Sequence, residues 1–453
     1  LSLTAAMIEI SARLTRGAVY FTEETIKCVI TFTNVNQLSI HSNHNNHSNG
    51  LNGGPSGVKT RPPKDREVET LCWAGVQIHC YCSVDETKVV DNDHQSSAPA
   101  VQTSTDTSFN PCLMRGEKGR VLYASSPKIL FCDLNLSPNE SKCYAYSETI
   151  PDWVPPSYNG LKVKYHYKLS IGTQRVNASI QLLRIPIRIL SIDNHCNPNP
   201  IPNSLNAKHR NSNQNHESND DTSDECFVDD PKRKDSVVST ESTNCALNET
   251  NDSSPNTVLD VSLHRLDCLT AKRCPQSYVI TNQLGKVAKF CVLKGTFKLG
   301  EDIVGIFNFA ESTVPCVQFS VTLQSEEVIR EEYRVKDLKP SSFTQTTSYG
   351  KYNEFCLHMN HSQMILSVPL TVTPTFVSDM ISLSWKLHFE FVTTKPEDTQ
   401  NTVRTDSQGV MEQSPALLNV QTMVWDLPIL IYATHPIQVA RGFQIPAAST
   451  LTV

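Results

Sequence analysis

The sequence predicts an all-β protein in which a long disordered linker joins two tandem antiparallel sandwiches. Three observations support this class: apolar and polar residues alternate with a period of two, stretches of the first half recur in order in the second, and polar inserts separate them. No comparably long stretch has the 3.6-residue period of an amphipathic helix.

The alternation is clearest at residues 161–171 and 381–391, where every second side chain is apolar. Such strands have one buried and one solvated face, which is typical of antiparallel sandwiches. Three tryptophans precede or occupy strands, and we expect them in the cores. They are Trp153, Trp385 and Trp425.

Four pairs of similar stretches occur in the same order in the two halves. The pairs are 17–24 with 295–302, 76–78 with 317–319, 156–169 with 374–387, and 184–187 with 426–429. Turn prolines and alternating strands that recur in the same order are typical of a duplication. The sequence therefore predicts two sandwiches, one for each copy.

The domain boundaries follow from composition, because stretches rich in Asn, Ser, Asp and His cannot bury enough apolar surface to offset chain entropy. We expect Met7 to be the true start and residues 1–6 to be an extension before it. The predicted parts are an N-terminal sandwich at 7–192 with disordered inserts at about 37–68 and 92–108, a flexible acidic and polar linker at 193–274, a C-terminal sandwich at 275–435 with an insert at about 394–419, and a disordered tail at 436–453.

Charge and cysteine content narrow the class of partner and the compartment. The net charge of −6 is not concentrated into a basic face, so we expect a protein partner and no nucleic acid. No apolar run of about 18 residues predicts a membrane-spanning helix. The cysteine count of 15 is odd, and several cysteines lie among apolar residues, which predicts buried free thiols in a reducing cytosol. These are Cys28, Cys80, Cys132, Cys291 and Cys316.

Motifs for nucleotide binding or nucleophilic catalysis are missing from the sequence. It has no GxGxxG, GxxxxGK[ST] or GxSxG run, and its 17 glycines could form few phosphate-binding loops. We predict no catalytic residue, no cofactor-binding residue and no cofactor. An active site assembled only by folding is the alternative that the sequence leaves open.

Three groups of residues could suggest a metal site, but each has a simpler interpretation. The histidine group lies in an Asn- and Ser-rich insert, the cysteine pair shares one face of a strand, and the last pair has no visible third ligand. We therefore predict an incidental tract, a packed strand and solvated positions, and no metal. The groups are His41, His44 and His47; Cys80 and Cys82; and His358 and His361.

Two short motifs resemble binding signals. Residues 155–158 read PPSY, a signal that WW domains bind when it is exposed. Because it matches residues 374–376 in the repeat, we favour a structural turn with Tyr158 packed inward over a docking motif. The basic run at 232–234 is expected to be solvated, with nuclear import as the alternative, and the serines nearby suggest phosphorylation.

The duplicated sandwich, with a Gly-to-Glu turn early in each half and a Pro-containing turn before a long strand, resembles the arrestin fold. Several segments together resemble one family more closely: the Rgp subunit of the Ric–Rgp complex, the Golgi exchange factor for the Rab-six class of small GTPases. They are PKILFCDL at 127–134, VKYHYKLSIG at 163–172, QRVN at 174–177, LGEDIVG at 299–305, LHFEFV at 387–392 and WDLP at 425–428.

The resemblance implies two tandem arrestin-like, immunoglobulin-type sandwiches in a subunit without an active site. It implies an obligate hetero-oligomer with a larger Ric-type subunit, which promotes GDP release from a Rab-six class GTPase and supports retrograde endosome-to-Golgi transport. The expected location is cytoplasmic, with peripheral association at Golgi membranes. The shared motifs are strand signatures, so they assign no partner-binding residue. The alternative is an arrestin-like adaptor for membrane cargo or for ubiquitin-ligase recruitment.

Overall fold

A computed structural model describes residues 8–35, 68–90, 120–192, 258–399, 402–406, 409–413, 418–443 and 447–453. All of them belong to one compact unit formed by Leu1–Cys196 and Asn256–Val453. The predicted extension at 1–6, nearly all of the insert at 37–68, the insert at 92–108 and the basic run at 232–234 lie outside the described residues.

The first half of the chain forms two sheets. One has the order β1-β3-β7, and the other has the order β2-β10-β9-β4-β5, with β6 on β4 and β8 on β9. The strands are β1 (Ile8–Leu14), β2 (Val19–Phe21), β3 (Thr25–Asn34), β4 (Glu69–Val84), β5 (Arg120–Ala124), β6 (Lys128–Leu136), β7 (Ser141–Thr149), β8 (Tyr158–Asn159), β9 (Val163–Gln174) and β10 (Gln181–Leu190).

The second half repeats this arrangement with sheets β11-β12-β14-β17 and β13-β22-β19-β15-β16, the latter joined by β18 on β19. In both halves a short strand, β2 or β13, pairs in parallel with β10 or β22. The elements are α1 (Val258–Ala271), β11 (Gln276–Asn282), β12 (Gly285–Val292), β13 (Thr296–Lys298), β14 (Asp302–Asn308), β15 (Cys316–Ile329), β16 (Thr344–Phe355), β17 (His361–Ser367), β18 (Phe376–Val377), β19 (Ile381–Thr394), β20 (Thr402–Asp406), β21 (Gly409–Gln413) and β22 (Val420–Tyr432), with 3-10 helices at Glu331–Tyr333, Pro340–Phe343 and Pro396–Thr399.

The two sheets of each half enclose an apolar core, which confirms the predicted all-β sandwich class. The cores also interlock. Ile381 and Leu383 of β19 belong to the core of the first sandwich, whereas Phe21 and Leu190 of the first half belong to the core of the second. Because side chains cross in both directions, the domain boundaries stay a prediction.

The end of the chain is ordered, so the predicted disordered tail at 436–453 is wrong. It forms α2 (Pro436–Phe443) and β23 (Ala448–Thr452), and β23 pairs antiparallel with β1. Ile8 N donates to Val453 O at 3.0 Å, and Val453 N donates to Ile8 O at 2.8 Å. In the second sandwich β11 covers the outer edge of β12, whereas among the described strands the one that covers the outer edge of β1 is β23. Strand β23 satisfies the backbone groups of that edge.

Two other segments predicted to be disordered contain ordered elements among their described residues. Helix α1 lies inside the predicted linker at 193–274, and its stripe of Leu259, Leu263 and Leu266 packs on the core of the second sandwich. This helical spacing is short and weak, so the polar composition around it hid it. The predicted insert at 394–419 contains a 3-10 helix and the hairpin β20–β21.

The register of the sheets tests the sequence repeats. Lys168 lies opposite Pro186, and Lys386 lies opposite Pro428, so the third and fourth pairs of stretches are confirmed. The second pair is displaced. The sequence repeat matches Gln77 with Gln318, but the sheet registers match it with Thr322, four residues further along β15. A shift by an even number of residues leaves the same set of side chains facing the core. The alternation of apolar and polar residues therefore could not exclude it.

The first pair is displaced by one residue. Strand β2 ends at Phe21, whose N–H donates to Glu24 Oε2 at 3.0 Å, and β13 ends at Lys298, whose N–H donates to Glu301 Oε2 at 2.9 Å. The equivalent of Glu301 is therefore Glu24 and not its neighbour. The same turn is closed by a glutamate in both copies.

The tryptophan and cysteine predictions are partly right. Trp385 is 2% exposed and lies in a core, whereas Trp153 is 64% exposed in a turn after β7, so its prediction is wrong. Trp425 is half-buried against Phe389, with ring centroids 4.8 Å apart. Cys28, Cys80 and Cys316 are buried, Cys291 is partly buried and Cys132 is exposed on the outer side of β6. Every cysteine that the structure describes is free.

Candidate functional site: the junction between the sandwiches

The PPSY motif forms a turn whose polar atoms are used inside the protein. Tyr167 Oη donates to Pro155 O at 2.5 Å, Ser157 N donates to Ile189 O at 2.8 Å, and Ile189 N donates to Ser157 Oγ at 2.9 Å. The ring of Tyr158 packs edge-on against that of Phe376, with centroids 5.2 Å apart. The prediction of a structural turn is confirmed, and a WW domain could read the motif only after it had unpacked.

The second copy contains the same hydrogen bonds. Trp385 Nε1 donates to Thr373 O at 3.2 Å, as Tyr167 does to Pro155. Ile431 N donates to Thr375 Oγ1 at 3.1 Å, as Ile189 does to Ser157. In both copies an aromatic side chain on the middle strand anchors the turn, so this motif belongs to the fold.

A buried carboxylate connects the two sandwiches. Glu327 on β15 is 3% exposed. Its oxygens accept hydrogen bonds from the backbone N–H groups of Leu161 and Lys162, both at 3.3 Å, and of Val163 at 3.1 Å. Burial of a charge is costly unless hydrogen bonds replace its water. These three bonds offset that cost and hold the start of β9 against β15.

Further polar contacts cross the junction. Tyr165 Oη and Ser378 Oγ share a hydrogen bond of 2.9 Å. Arg188 Nη2 donates to Val372 O at 2.9 Å, and its guanidinium carbon lies 3.9 Å from the centroid of the Phe443 ring, a cation–π contact with α2. Burial lowers the pKa of Arg188 to about 10, which leaves it charged at neutral pH.

A cavity of about 400 Å³ opens between the two sandwiches beside these contacts. Both halves contribute apolar and aromatic side chains to it. The lining includes Trp153, Pro155, Tyr165, Tyr333, Phe376 and Met380. The lining is mixed, because Arg120, Arg330 and Asp379 lie beside these apolar side chains.

The candidate metal ligands that the structure describes do not form a site with a third ligand. Cys80 and Cys82 are packed in β4 as predicted, and burial raises the pKa of Cys80 to about 12, so the thiolate that a metal requires is disfavoured. His358 and His361 are exposed, as predicted. Within the described ranges no three His, Cys, Asp or Glu side chains form a group that could hold a metal. The tract of His41, His44 and His47 lies outside those ranges.

Sequence reasoning missed the polar contacts of the junction. Glu327 lies in the inward phase of β15, between the buried Ser325 and Ile329. A glutamate at an inward-facing position of an alternating strand is unusual, and this could have indicated a buried contact. The contacts of Arg188 were harder to predict, because an arginine at an outward-facing position of a strand is normally solvated.

The outer faces of the two large sheets differ in charge. On the second sandwich, acids and bases alternate in a group that we call the paired face: Lys351, Lys386, His388, Glu390 and Asp426. Lys386 Nζ lies 2.8 Å from Asp426 Oδ2, and His388 Nδ1 lies 2.6 Å from Asp426 Oδ1. Burial alone would raise the pKa of Asp426, but the hydrogen bonds from Lys386 and His388 outweigh it and the pKa lies below its usual value.

On the outward side of β9 and β10 in the first sandwich lie Lys164, His166, Lys168 and Arg184, which we call the cationic face; of these, Lys168 and Arg184 occupy positions equivalent to Lys386 and Asp426 of the paired face. The first three alternate along β9, and Arg184 lies on β10 opposite Ser170. Arg184 occupies the position that Asp426 has in the second copy. Arg184 lies two residues before the proline opposite Lys168, and Asp426 lies two residues before the proline opposite Lys386. Burial, and then the charges of Lys164 and Lys168, lower the pKa of His166.

The fold and these contacts define a duplicated β-sandwich protein whose polar groups join strands and form charged surfaces. The chain belongs to the Rgp1 family, whose sequence model matches residues 116–197 and 192–394. The resemblance to that family is thereby confirmed. A human relative named RAB6A-GEF complex partner protein 2 is 34% identical over 451 residues, covering 99% of this chain and 100% of that protein.

Two further comparisons complete this description. The protein of the same name from Bos taurus is 34% identical over 433 residues, covering 95% of each chain. The solved structure of Spo0M, a sporulation control protein from Bacillus subtilis, is 9% identical, with a TM-score of 0.23 over 41% of this chain and 49% of that one. That similarity is too low to relate the folds. Among the helices that the structure describes, none has the length and apolar content to cross a membrane.

Proposed function

We propose that this chain is a non-catalytic subunit of a guanine-nucleotide exchange complex. The observation that carries the proposal is similarity along the whole chain to relatives named as partner proteins of a RAB6A-GEF complex. Because the match covers both sandwiches and both ends, it suits a shared role better than a shared fold alone.

The structure suggests how such a subunit would act. Exchange requires a surface that binds the nucleotide-poor form of the GTPase more tightly than the nucleotide-bound form, and no bond chemistry by the subunit. Interlocked cores and the buried Glu327 join the sandwiches. Surfaces from both halves could therefore support a partner as one body.

The finer parts of the proposal rest on the resemblance. The GTPase would be of the Rab-six class, and a larger Ric-type subunit would be the obligate partner. The complex would associate peripherally with Golgi membranes from the cytoplasm and support retrograde endosome-to-Golgi transport. The adaptor alternative loses its main sequence support, because the PPSY motif is packed into the junction.

Nucleotide release tests the proposal. A Rab-six class GTPase loaded with fluorescent GDP is mixed with this chain, with the Ric-type subunit, or with both, and the rate of fluorescence loss is measured. We expect the pair to be much the most active. Equal rates for the pair and for the Ric-type subunit alone would show that this chain contributes nothing to exchange.

A matched pair of variants tests the role of the junction in the same assay. Glu327→Gln weakens the acceptor of three N–H groups, whereas Glu326→Gln changes the neighbouring carboxylate on the outward phase of β15. We expect slower release with the first variant and wild-type release with the second. Wild-type release with both would show that the junction is not part of the exchange function.

A further inference from the structure

We propose that Lys162 and Lys164 bind a phosphate group in a second cavity at the junction of the two sandwiches. This cavity has a volume of about 690 Å³ and lies next to the one described above, because Arg120 and Met380 line both. The inference goes beyond the exchange function and does not depend on it, because it rests on a buried lysine and on the charges around it.

The first argument is the environment of the Lys162 side chain. Lys162 is 2% exposed, and within the part of the chain that the structure describes its Nζ has no hydrogen-bond partner. A buried charge without a partner is costly, and lysines are rarely buried unless they are paired. Lys162 also lines the cavity, so an anion bound there would supply the missing partner.

The acids around Lys162 are used by other groups. Glu327 accepts backbone N–H groups, as described above. Asp85 Oδ1 accepts the N–H and the hydroxyl of Thr87 at 3.1 and 2.6 Å, and its Oδ2 lies 3.4 Å from Lys88 Nζ. Burial lowers the pKa of Lys162, and the opposing charges of Glu327 and Asp85 do not restore it. The buried ammonium therefore lacks a counter-charge.

The second argument is the charge of the cavity lining. Lys162 directly precedes β9 and Lys164 is the second residue of that strand, and both border the same space. Arg120 of β5 lies in the lining as well. The acids of the lining are Asp85, which is already paired, and Glu86, which is exposed to solvent. Cations outnumber acids, and the most buried of them is the one without a partner.

A phosphate group suits this site better than a single carboxylate. A phosphate monoester carries a charge of about −1.5 to −2 at neutral pH and three oxygens that accept hydrogen bonds. It can therefore contact two ammonium groups at once through charge-assisted hydrogen bonds. The group could belong to a free phosphomonoester or to a lipid headgroup, and the experiment separates these two sources.

Calorimetric titration of the full chain with inorganic phosphate tests the inference. We expect saturable binding that sulfate, another tetrahedral dianion, competes with and chloride does not. Lys162→Met should weaken binding about tenfold or more, because it removes a charge-assisted hydrogen bond at a buried position. Lys164→Gln should weaken it by a smaller factor, since Lys164 is only partly buried. Lys289→Met, at an exposed lysine of β12, is the control and should bind as the wild type does.

Thermal unfolding gives a readout that a purely structural role of Lys162 would not give. Without phosphate, Lys162→Met should have a higher melting temperature than the wild type, because methionine is of similar length and carries no charge that must be desolvated. Phosphate should raise the melting temperature of the wild type and leave that of Lys162→Met unchanged. A lower melting temperature for Lys162→Met in phosphate-free buffer would show that the ammonium already has a partner, and it would overturn the inference.

Vesicles of phosphatidylcholine that contain phosphatidylinositol phosphate identify the source of the phosphate. Sedimentation of the chain with these vesicles that is lost in Lys162→Met would support a lipid headgroup. Binding of inorganic phosphate without sedimentation would support a soluble phosphomonoester. Absence of both in the wild type would overturn the inference, as would equal phosphate binding by the wild type and Lys162→Met. Binding only to a phosphoserine peptide would also overturn it, because such binding requires contacts outside the cavity.

Discussion

The two sandwiches share their internal hydrogen bonds but are closed in different ways. Strand β11 completes the small sheet of the second sandwich and comes directly before β12 in the chain. In the first sandwich the equivalent place beside β1 is taken by β23, from the far end of the chain. The second sandwich is thus built from neighbouring segments, whereas the first depends on a distant one.

The same comparison separates conserved internal geometry from surfaces that have diverged within this chain. Tyr167 and Trp385 make the same anchoring bond, and Glu24 and Glu301 close the same turn. On the outer faces, by contrast, an arginine in one copy replaces an aspartate in the other. Buried hydrogen bonds are costly to lose, and solvated charges are cheap to exchange. The two copies therefore agree in their buried hydrogen bonds and differ in the charges of their outer faces.

The largest expected effect comes from the anchoring aromatic residues. Tyr167→Ala and Trp385→Ala should each lower the free energy of unfolding by about 3–5 kcal/mol, because both remove a buried ring and its hydrogen bond. Urea denaturation measures this. Val424→Ala, at a side chain 63% exposed, serves as the control and should change little. A large loss in only one copy would break the equivalence of the two anchors.

Removal of residues 447–453 should destabilise the first sandwich by about 2–3 kcal/mol, because the edge of β1 loses several backbone hydrogen bonds. Hydrogen exchange measured by mass spectrometry should show faster exchange in β1. Strand β12 serves as the internal control, since β11 still covers it. Equal acceleration in both strands would contradict the view that β23 serves the first sandwich alone.

Glu327→Gln should lower the free energy of unfolding by about 1–2 kcal/mol, because a charged acceptor of three N–H groups becomes a neutral one. The amides of residues 161–163 should exchange faster. Glu326→Gln is the matched control, and it should affect neither quantity. Unchanged exchange at 161–163 would mean that other contacts hold the start of β9.

The smallest effect is the acid response of the paired face. The pKa of Asp426 is lowered in the folded protein, so its contribution to stability is present above its unfolded pKa of about 4 and is lost as the pH falls through the folded pKa. Asp426→Asn should remove a few tenths of a kcal/mol at neutral pH and flatten the dependence below about pH 4, since the side chain is 44% exposed.

Lys164→Gln is the control for that experiment, because it changes one charge on the first sandwich and leaves every carboxylate of the paired face in place. Its acid unfolding curve should keep the wild-type slope. An unchanged slope for Asp426→Asn would show that the ion pairs of the paired face contribute nothing measurable to stability.

Much of the fold could be predicted because its signal is local. The alternation along β9 and β19 and the repeated turn prolines located the middle strands and their partners correctly, and they identified PPSY as part of a turn. The period of two also explains an error: a match displaced by four residues looks the same as the correct one.

What could not be predicted depends on distant parts of the chain. Strand β23 alternates weakly and has a recognisable role only beside β1, and Trp153 looks like a core residue until the turn that exposes it is known. The cationic face required both sheet registers, because Arg184 and Lys168 are adjacent only after β9 and β10 pair.

The pairing of β23 with β1 also affects biosynthesis. Ile8 is synthesised long before its partner Val453. Strands β11 and β12 are consecutive in the chain, so this edge of the second sandwich can be covered soon after both are made, whereas the edge of β1 stays open until β23 has been made. The half that is synthesised earlier therefore keeps one strand edge open for longer, and in the nascent chain that edge is the one that a chaperone would need to cover.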